Sequence, residues 1–192
     1  MRLDPQTLLD AYTQGAFPMA DGDDRIRWYT ADPRGILPLE TFHVPHTLRQ
    51  TVRQNRFEIR IDCDFDATMR ACMQTRSDHT WINEELIGAY LRLHELGYAH
   101  SVEAWRAGKL AGGLYGVNLG GAFFGESMFH HQRDASKVAL VALVERLKER
   151  GFVLLDTQTC SEHLKRFGGI EIAHDEYIRR LELAVARECR FD

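Results

Sequence analysis

Two acidic residues stand in apolar, strand-like runs of this 192-residue chain. Glu126 lies within Phe123-Phe-Gly-Glu-Ser-Met-Phe129, and Asp156 follows Phe152-Val-Leu-Leu155, ahead of Thr157-Gln158. An ionised carboxylate in such company is costly unless it is paired or hydrogen-bonded. Each acid therefore either caps its strand or pairs with a buried arginine, or it works on a substrate. Strand alternation places Glu126 on the side of Phe124 and Met128, and Asp156 on the side of Gln158. If the two strands are neighbours, both acids line one slot. Aromatic residues recur in the chain: Trp28, Tyr29, Trp81, Trp105, Tyr115, Phe123 and Phe124. Core packing accounts for most of them, and an aromatic slot also stacks a nucleobase. Arg49, Arg53 and Arg56, at i, i+4 and i+7, share one face of a helix expected over 47–56. That face is either simply solvated or tracks phosphates, which the planar guanidinium fork suits. His43-Val-Pro-His46 is the nearest thing to a metal-ligand pair and has no second pair to complete it, so no metal site is expected.

The elements that must hold these residues follow from periodicity and punctuation. Asp4-Pro5 reads as an N-cap with proline at the first helical position, and Gly15 stops that helix. Residues 16–46, broken by Pro and Gly, read as short strands and loops. Phe57-Glu-Ile-Arg-Ile61 alternates as a strand. Asp64 and Asn83 cap two amphipathic helices. Strands are expected over 99–106, 110–118 and 122–129, joined at Ala107-Gly108-Lys109 and Gly120-Gly121. Asp134 caps a helix that reaches Gly151. A buried strand over 152–155, a short helix at about 161–167 and a last helix at about 175–187 complete the chain. From residue 57 the order is β-α-α-β-β-β-α-β-α. It resembles the acetyltransferase-like fold, an α/β (α+β) architecture in which two neighbouring strands splay apart, here 122–129 and 152–157. The expected division is a small N-terminal domain over 1–57 and a GNAT-like catalytic domain over 58–192.

An acetyl-CoA enzyme of this fold grips pyrophosphate on a Gly-rich turn opening its central helix. Here that turn is His130-His-Gln-Arg-Asp134, without glycine and with an acid. The acyl donor is therefore expected not to be coenzyme A. Composition narrows the class further. Hydrophobic residues make up 44% and charged residues 27%, which fits a globular chain and excludes broad disorder. A net charge of -4 argues against indiscriminate coating of nucleic acid but leaves room for one basic face. No run reaches the roughly 20 apolar residues of a membrane span, and the N-terminus lacks the apolar stretch of a signal peptide. Cys63, Cys72, Cys160 and Cys189 form no CxxC pair, which fits a reducing, cytoplasmic setting.

An ordered set of motifs carries a resemblance. Gly15-Ala-Phe-Pro18, Trp28-Tyr-Thr-Ala-Asp-Pro-Arg34, Thr80-Trp-Ile82, His94-Glu-Leu-Gly97 and His100-Ser-Val-Glu-Ala-Trp105 come first. Gly112-Gly-Leu-Tyr-Gly-Val117, Phe124-Gly-Glu-Ser-Met-Phe129, Ala135-Ser-Lys137, Leu155-Asp-Thr-Gln158 and His163 follow. From residue 8 to about 181 the chain resembles the leucyl/phenylalanyl-tRNA–protein transferases. It departs from them at Met19, where the family often has Trp, at Tyr29 of a Trp-Trp pair, and at Ala173-His174.

The resemblance implies transfer of Leu or Phe from aminoacyl-tRNA to the N-terminal Arg or Lys of an acceptor protein, marking it for N-end-rule degradation. An activated ester as donor needs no cofactor, the expected setting is cytoplasmic with no membrane partner, and a monomer is the default, since nothing in the sequence demands a dimer. Trp28 and Trp105 would lie near the terminal adenosine, and Leu114, Phe123 and Met128 would form the amino-acid pocket. Glu126, Asp156 and Gln158 would surround the amine and ester, with Asp156 orienting Gln158 and the amine and taking its proton as the bond forms. Ser161 and His163 would support them. Arg49, Arg53, Arg56, Lys137, Lys165 and Arg166 would contact tRNA. The rival readings are an N-acetyltransferase, a tRNA-dependent aminoacyl transferase with another acceptor such as a muropeptide, and a non-catalytic module for basic N-termini.

Overall fold

A computed structural model of the chain describes residues 3–23, 25–75 and 80–192. Helix α1 (Pro5–Thr13) starts where Asp4 accepts the Thr7 N–H at 3.0 Å and Pro5 needs no partner. Strands β1 (Phe17–Ala20) and β2 (Ile26–Tyr29) form an antiparallel hairpin. Next come β3 (Arg34–Ile36), α2 (His46–Arg53), β4 (Glu58–Ile61), α3 (Phe65–Thr75) and α4 (Glu84–Glu95). The meander β5 (Ala99–Arg106), β6 (Lys109–Leu119) and β7 (Ala122–His130) leads into α5 (Ala135–Glu149). The chain closes with β8 (Leu154–Gln158), α6 (Glu162–Lys165), β9 (Ile170–Ile172) and α7 (His174–Val185).

The meander matches the expected strands to within a residue at each end. Ala107 and Gly108 both take positive φ, 50° and 71°, which a two-residue hairpin turn of matching twist requires. Other boundaries differ. Helix α2 ends at Arg53, and Asn55 at φ 47° turns the chain out, so Arg56 lies in the following loop and not on the helix. The strand expected over 152–155 lies at Leu154–Gln158, and the helix expected at 161–167 shortens to α6. Asp134 holds the N-cap position of α5 but makes no side-chain cap bond; its φ is 68° and its carboxylate turns to Lys137 Nζ at 2.7 Å. Strand β3 falls within the stretch 16–46 read as short strands and loops, whereas the three-residue strand β9 lies where no strand was expected.

Seven strands form one sheet in the order β4-β5-β6-β7-β8-β3-β9. All neighbours are antiparallel except β7 and β8, which run parallel. That parallel pair is bonded only from Ala122–Leu154 to Phe124–Asp156. Beyond Phe124 the two strands part while β7 continues to His130, giving the splay of an acetyltransferase-like fold. Each face of the sheet carries its own apolar core. Tyr12, Met69, Tyr90, Tyr115, Phe124 and Tyr177 belong to one, with α1, α3, α4 and α7. Leu48, Leu114, Phe123, Leu140, Val144 and Leu147 belong to the other, with α2 and α5. Strand β3, from the segment assigned to the small N-terminal domain, lies inside the main sheet between β8 and β9.

Candidate active site

A bulge in β7 builds the centre of the site. Tyr115 pairs with Ser127 and Gly116 with Gly125, so Glu126 is the extra residue on its strand. Gly116 permits this close approach; a Cβ there would lie 2.3 Å from the Phe124 carbonyl oxygen. The bulge corrects the parity read from sequence. Glu126 does share a face with Phe124, but Met128 is turned to the opposite face and the second core.

A cavity of about 620 Å³ occupies the gap where β7 and β8 part. Its lining divides along the sheet. Phe17, Met19, Tyr29, Trp81 and Tyr115 come from the first core's side. Leu114, Met128, Leu140, Leu143, Leu155 and Leu164 come from the second. Between the two halves stand Glu126, Ser127 and Gln158, with Thr157, Thr159, Ser161 and His163 nearby. The cavity thus passes through the sheet, aromatic on one side and aliphatic on the other.

The two acids have different partners. Glu126 Oε1 accepts from the Tyr12 hydroxyl at 2.7 Å and from Gln158 Nε2 at 3.3 Å. The Tyr12 and Tyr90 hydroxyls are 2.5 Å apart. Burial lifts the Glu126 carboxyl to about 7; the Tyr12 hydrogen bond pulls it down and the charge of Asp156 pushes it further up. Burial likewise pushes both tyrosines well above their ordinary range.

Asp156 exposes 0% of its surface. Arg34 donates to it twice, at 3.0 and 2.7 Å, Tyr177 at 2.6 Å and the Gln158 N–H at 2.8 Å. Arg34 is itself buried and also donates to the Gly15 carbonyl at 2.7 Å. A carboxylate so enclosed has no surface on the cavity, so direct uptake of a substrate proton, as expected for Asp156 from sequence, has no path here. It holds Gln158, whose backbone takes a positive φ of 55°.

Of the residues expected at the site, Leu114, Met128, Glu126, Gln158, Ser161 and His163 meet around the cavity. Ser161 also caps α6 by accepting the Leu164 N–H. Phe123 is buried behind the wall, stacked on Phe191 at 5.2 Å between centroids. Trp28 alternates with Tyr29 on β2 and is not among the lining residues. Trp105 lies on β5, two strands from β7, where its Nε1 donates to Glu103 at 2.7 Å and Arg60 covers its ring. Lys137 lines a neighbouring depression, and Arg49, Arg53, Arg56, Lys165 and Arg166 are exposed outside the cavity.

Sequence reasoning assigned no role to Trp81, Met19 or Phe17, although two of the quoted motifs contain or adjoin them. It also missed Arg34 and the Tyr12–Tyr90 pair. Tyr12 and Glu126 are 114 positions apart, a separation that periodicity does not reveal.

Comparisons at the level of sequence agree on one family. The family described as leucyl/phenylalanyl-tRNA protein transferase matches residues 36–182, and its N-terminal domain matches 1–32. A leucyl/phenylalanyl-tRNA–protein transferase of Paramagnetospirillum magneticum is 57% identical over 189 residues, covering 96% of this chain and 90% of that protein. One from Rubrobacter xylanophilus is 53% identical over 192 residues, covering 100% of both. Among solved structures, the chain is similar to a ribosomal-protein-alanine N-acetyltransferase from Brucella melitensis biovar Abortus 2308. That match has 15% identity and a TM-score of 0.40, and covers 57% of this chain and 86% of that one.

Proposed function

The chain belongs to the leucyl/phenylalanyl-tRNA–protein transferase family, and we propose that it moves Leu or Phe from aminoacyl-tRNA to the α-amine of polypeptides beginning with Arg or Lys, marking them for degradation. The observation that carries this reading is the cavity that crosses the sheet. Its aliphatic half suits a Leu or Phe side chain and gives nothing to a charged one. Its aromatic half, with Trp81 and Tyr29, offers ring faces to the terminal adenosine. The ester joining the two lies between them, beside Glu126 and Gln158.

The donor is an activated ester, so the reaction needs neither ATP nor a cofactor. The acceptor nitrogen bonds to the ester carbonyl carbon, and the bond from that carbon to the ribose oxygen breaks. The products are an amide and a free ribose hydroxyl. An α-amine has a pKa of about 7.7–8.0, so roughly a tenth is neutral at pH 7. Glu126, lifted to about 7, is matched to receive the proton that the amine sheds. The proton passes on to the departing ribose oxygen. Asp156 acts through Gln158, holding it against the reacting groups. Most of the acceleration comes from positioning and from polarising the tetrahedral oxyanion. Among the described residues no helix is long and apolar enough to cross a membrane. The enzyme is read as cytoplasmic, where its donor is found, and as a monomer.

The test mixes purified protein with radiolabelled Leu-tRNA or Phe-tRNA and a peptide that starts with Arg. Label enters the peptide, and replacing the first residue by Asp abolishes the transfer. Absence of transfer at low salt, or acetylation of the peptide from acetyl-CoA, overturns the reading.

A further inference from the structure

The bulge in β7 turns two successive polar side chains to the same face of the sheet. Glu126 reaches Tyr12 of the first core, and Ser127 stands opposite Tyr115 of that core in the register with β6. Side chains directly opposite across paired strands share a face. Met128, opposite Leu114, returns to the second core. Without the bulge, strict alternation would send Ser127 to the face opposite Glu126. With it, Ser127 joins Phe17, Tyr29 and Trp81 on the aromatic side of the cavity that all of them line.

Ser127 is 8% exposed, and its hydroxyl is buried with no hydrogen-bond partner among the described residues. Three other lining hydroxyls are engaged. That of Tyr29 donates to Asp21 at 2.5 Å, that of Thr157 donates to the Thr159 carbonyl at 3.2 Å, and that of Ser161 accepts the Leu164 N–H at 3.3 Å. Glu126 Oε1 already accepts from Tyr12 and Gln158. Thr68 also has an unpartnered hydroxyl, but it lies on α3 and is not among the lining residues. A buried hydroxyl left unpaired is costly and rare in a native fold. Here the unpaired hydroxyl belongs to the wall of a substrate cavity.

Its place in the cavity indicates its partner. The donor lies with its amino-acid side chain in the aliphatic half, its base in the aromatic half and its ester at the boundary. Moving from a 3′ ester toward the base, the next polar group is the ribose 2′-hydroxyl. A serine hydroxyl offers one donor and two acceptor positions, and a ribose hydroxyl offers the same, so each satisfies the other without any charge.

We propose that Ser127 binds the 2′-hydroxyl of the donor's terminal ribose and thereby selects a ribose ester over a deoxyribose ester. The inference rests on the functional reading above. A serine Oγ passes between staggered positions by one rotation about Cα–Cβ, and entry of the ribose draws it into the cavity. The 2′-hydroxyl is the group by which a protein tells RNA from DNA at a given site.

The test uses Phe-tRNA, and the same tRNA ending in 2′-deoxyadenosine and phenylalanylated on its 3′-hydroxyl, with a peptide that starts with Arg. The ratio of kcat/KM for the ribose donor over the deoxyribose donor falls about threefold to tenfold in Ser127→Ala, the scale of one hydrogen bond, and the loss is confined to the ribose donor. Ser127→Cys keeps nearly the same volume with only a weak S–H donor. It gives the same fall, and it decides the matter if the alanine variant folds poorly. Adenosine and 2′-deoxyadenosine as competitive inhibitors repeat the comparison without chemistry: the wild type prefers adenosine by a similar factor, and both variants lose that preference. Equal losses with both donors place the hydroxyl on the ester or its oxyanion and overturn the proposal. Unchanged preferences in both variants overturn it too. Failure of the wild-type protein with ordinary Phe-tRNA overturns the functional reading itself, which separates the two cases.

Discussion

At the scale of single residues, partners set the two buried acids apart. Asp156 is gripped by a guanidinium, whereas Glu126 receives hydrogen bonds from a tyrosine and an amide. The Glu126 carboxyl has an ordinary value of 4.5 and rises to about 7 on folding. Between those values the folded chain holds a proton that the unfolded chain has released, so this residue's contribution to stability falls as pH rises from 4.5 to 7. Glu126→Gln removes that slope. Thermal unfolding at pH 5 and pH 8 checks it: the melting temperature of wild type relative to the variant is lower at pH 8. The same substitution lowers kcat by about 10²–10⁴-fold, the range for losing a general base. It also removes from the pH–rate profile the acid limb near 7 that Glu126 gives the wild type. Arg34→Met leaves Asp156 buried without its ion partner. Breaking such a pair costs about 3–5 kcal/mol, read as a fall in the urea midpoint.

At the scale of elements, the aliphatic half of the cavity is a joint product of β6, β7, β8, α5 and α6, each giving one or two side chains. Leu143→Ala on α5 deepens it. The ratio of kcat/KM for Phe-tRNA over Leu-tRNA rises, by about tenfold if one or two methylenes' worth of space becomes useful to the larger side chain. The elements themselves were largely legible. Alternation and tight Gly turns marked the meander, and the parting of β7 and β8 beyond Phe124 was expected from the likeness of the element order to the acetyltransferase-like fold. The bulge was not legible, because one extra residue leaves the pattern of apolar and polar residues almost unchanged while reversing every side chain beyond it. Strands β3 and β9 are too short to show any period. Trp28, Trp81 and Trp105 look alike in sequence. Only the folding of the β1–β2 hairpin and of the segment before α4 over the gap decides that Trp81 reaches the cavity.

At the scale of the molecule, a net charge of -4 coexists with exposed Arg49 and Arg53 on one helix and with Lys137, Lys165 and Arg166 near the cavity. Arg49→Gln together with Arg53→Gln raises KM for aminoacyl-tRNA and makes its salt dependence shallower by about one per lost contact. Stability shifts by no more than about 0.5 kcal/mol, since both side chains are exposed. Filter binding of tRNA across a salt series checks the first effect and thermal unfolding the second. The sheet also joins the two ends of the sequence. Strand β3 is made early, yet its neighbours are β8 and β9, and Arg34 waits 122 positions for Asp156. A chain still leaving the ribosome therefore carries the N-terminal half of its cavity wall with nothing to close against until β8 has emerged. A part-made copy therefore lacks a complete cavity in which to hold the charged tRNA that the same ribosome consumes.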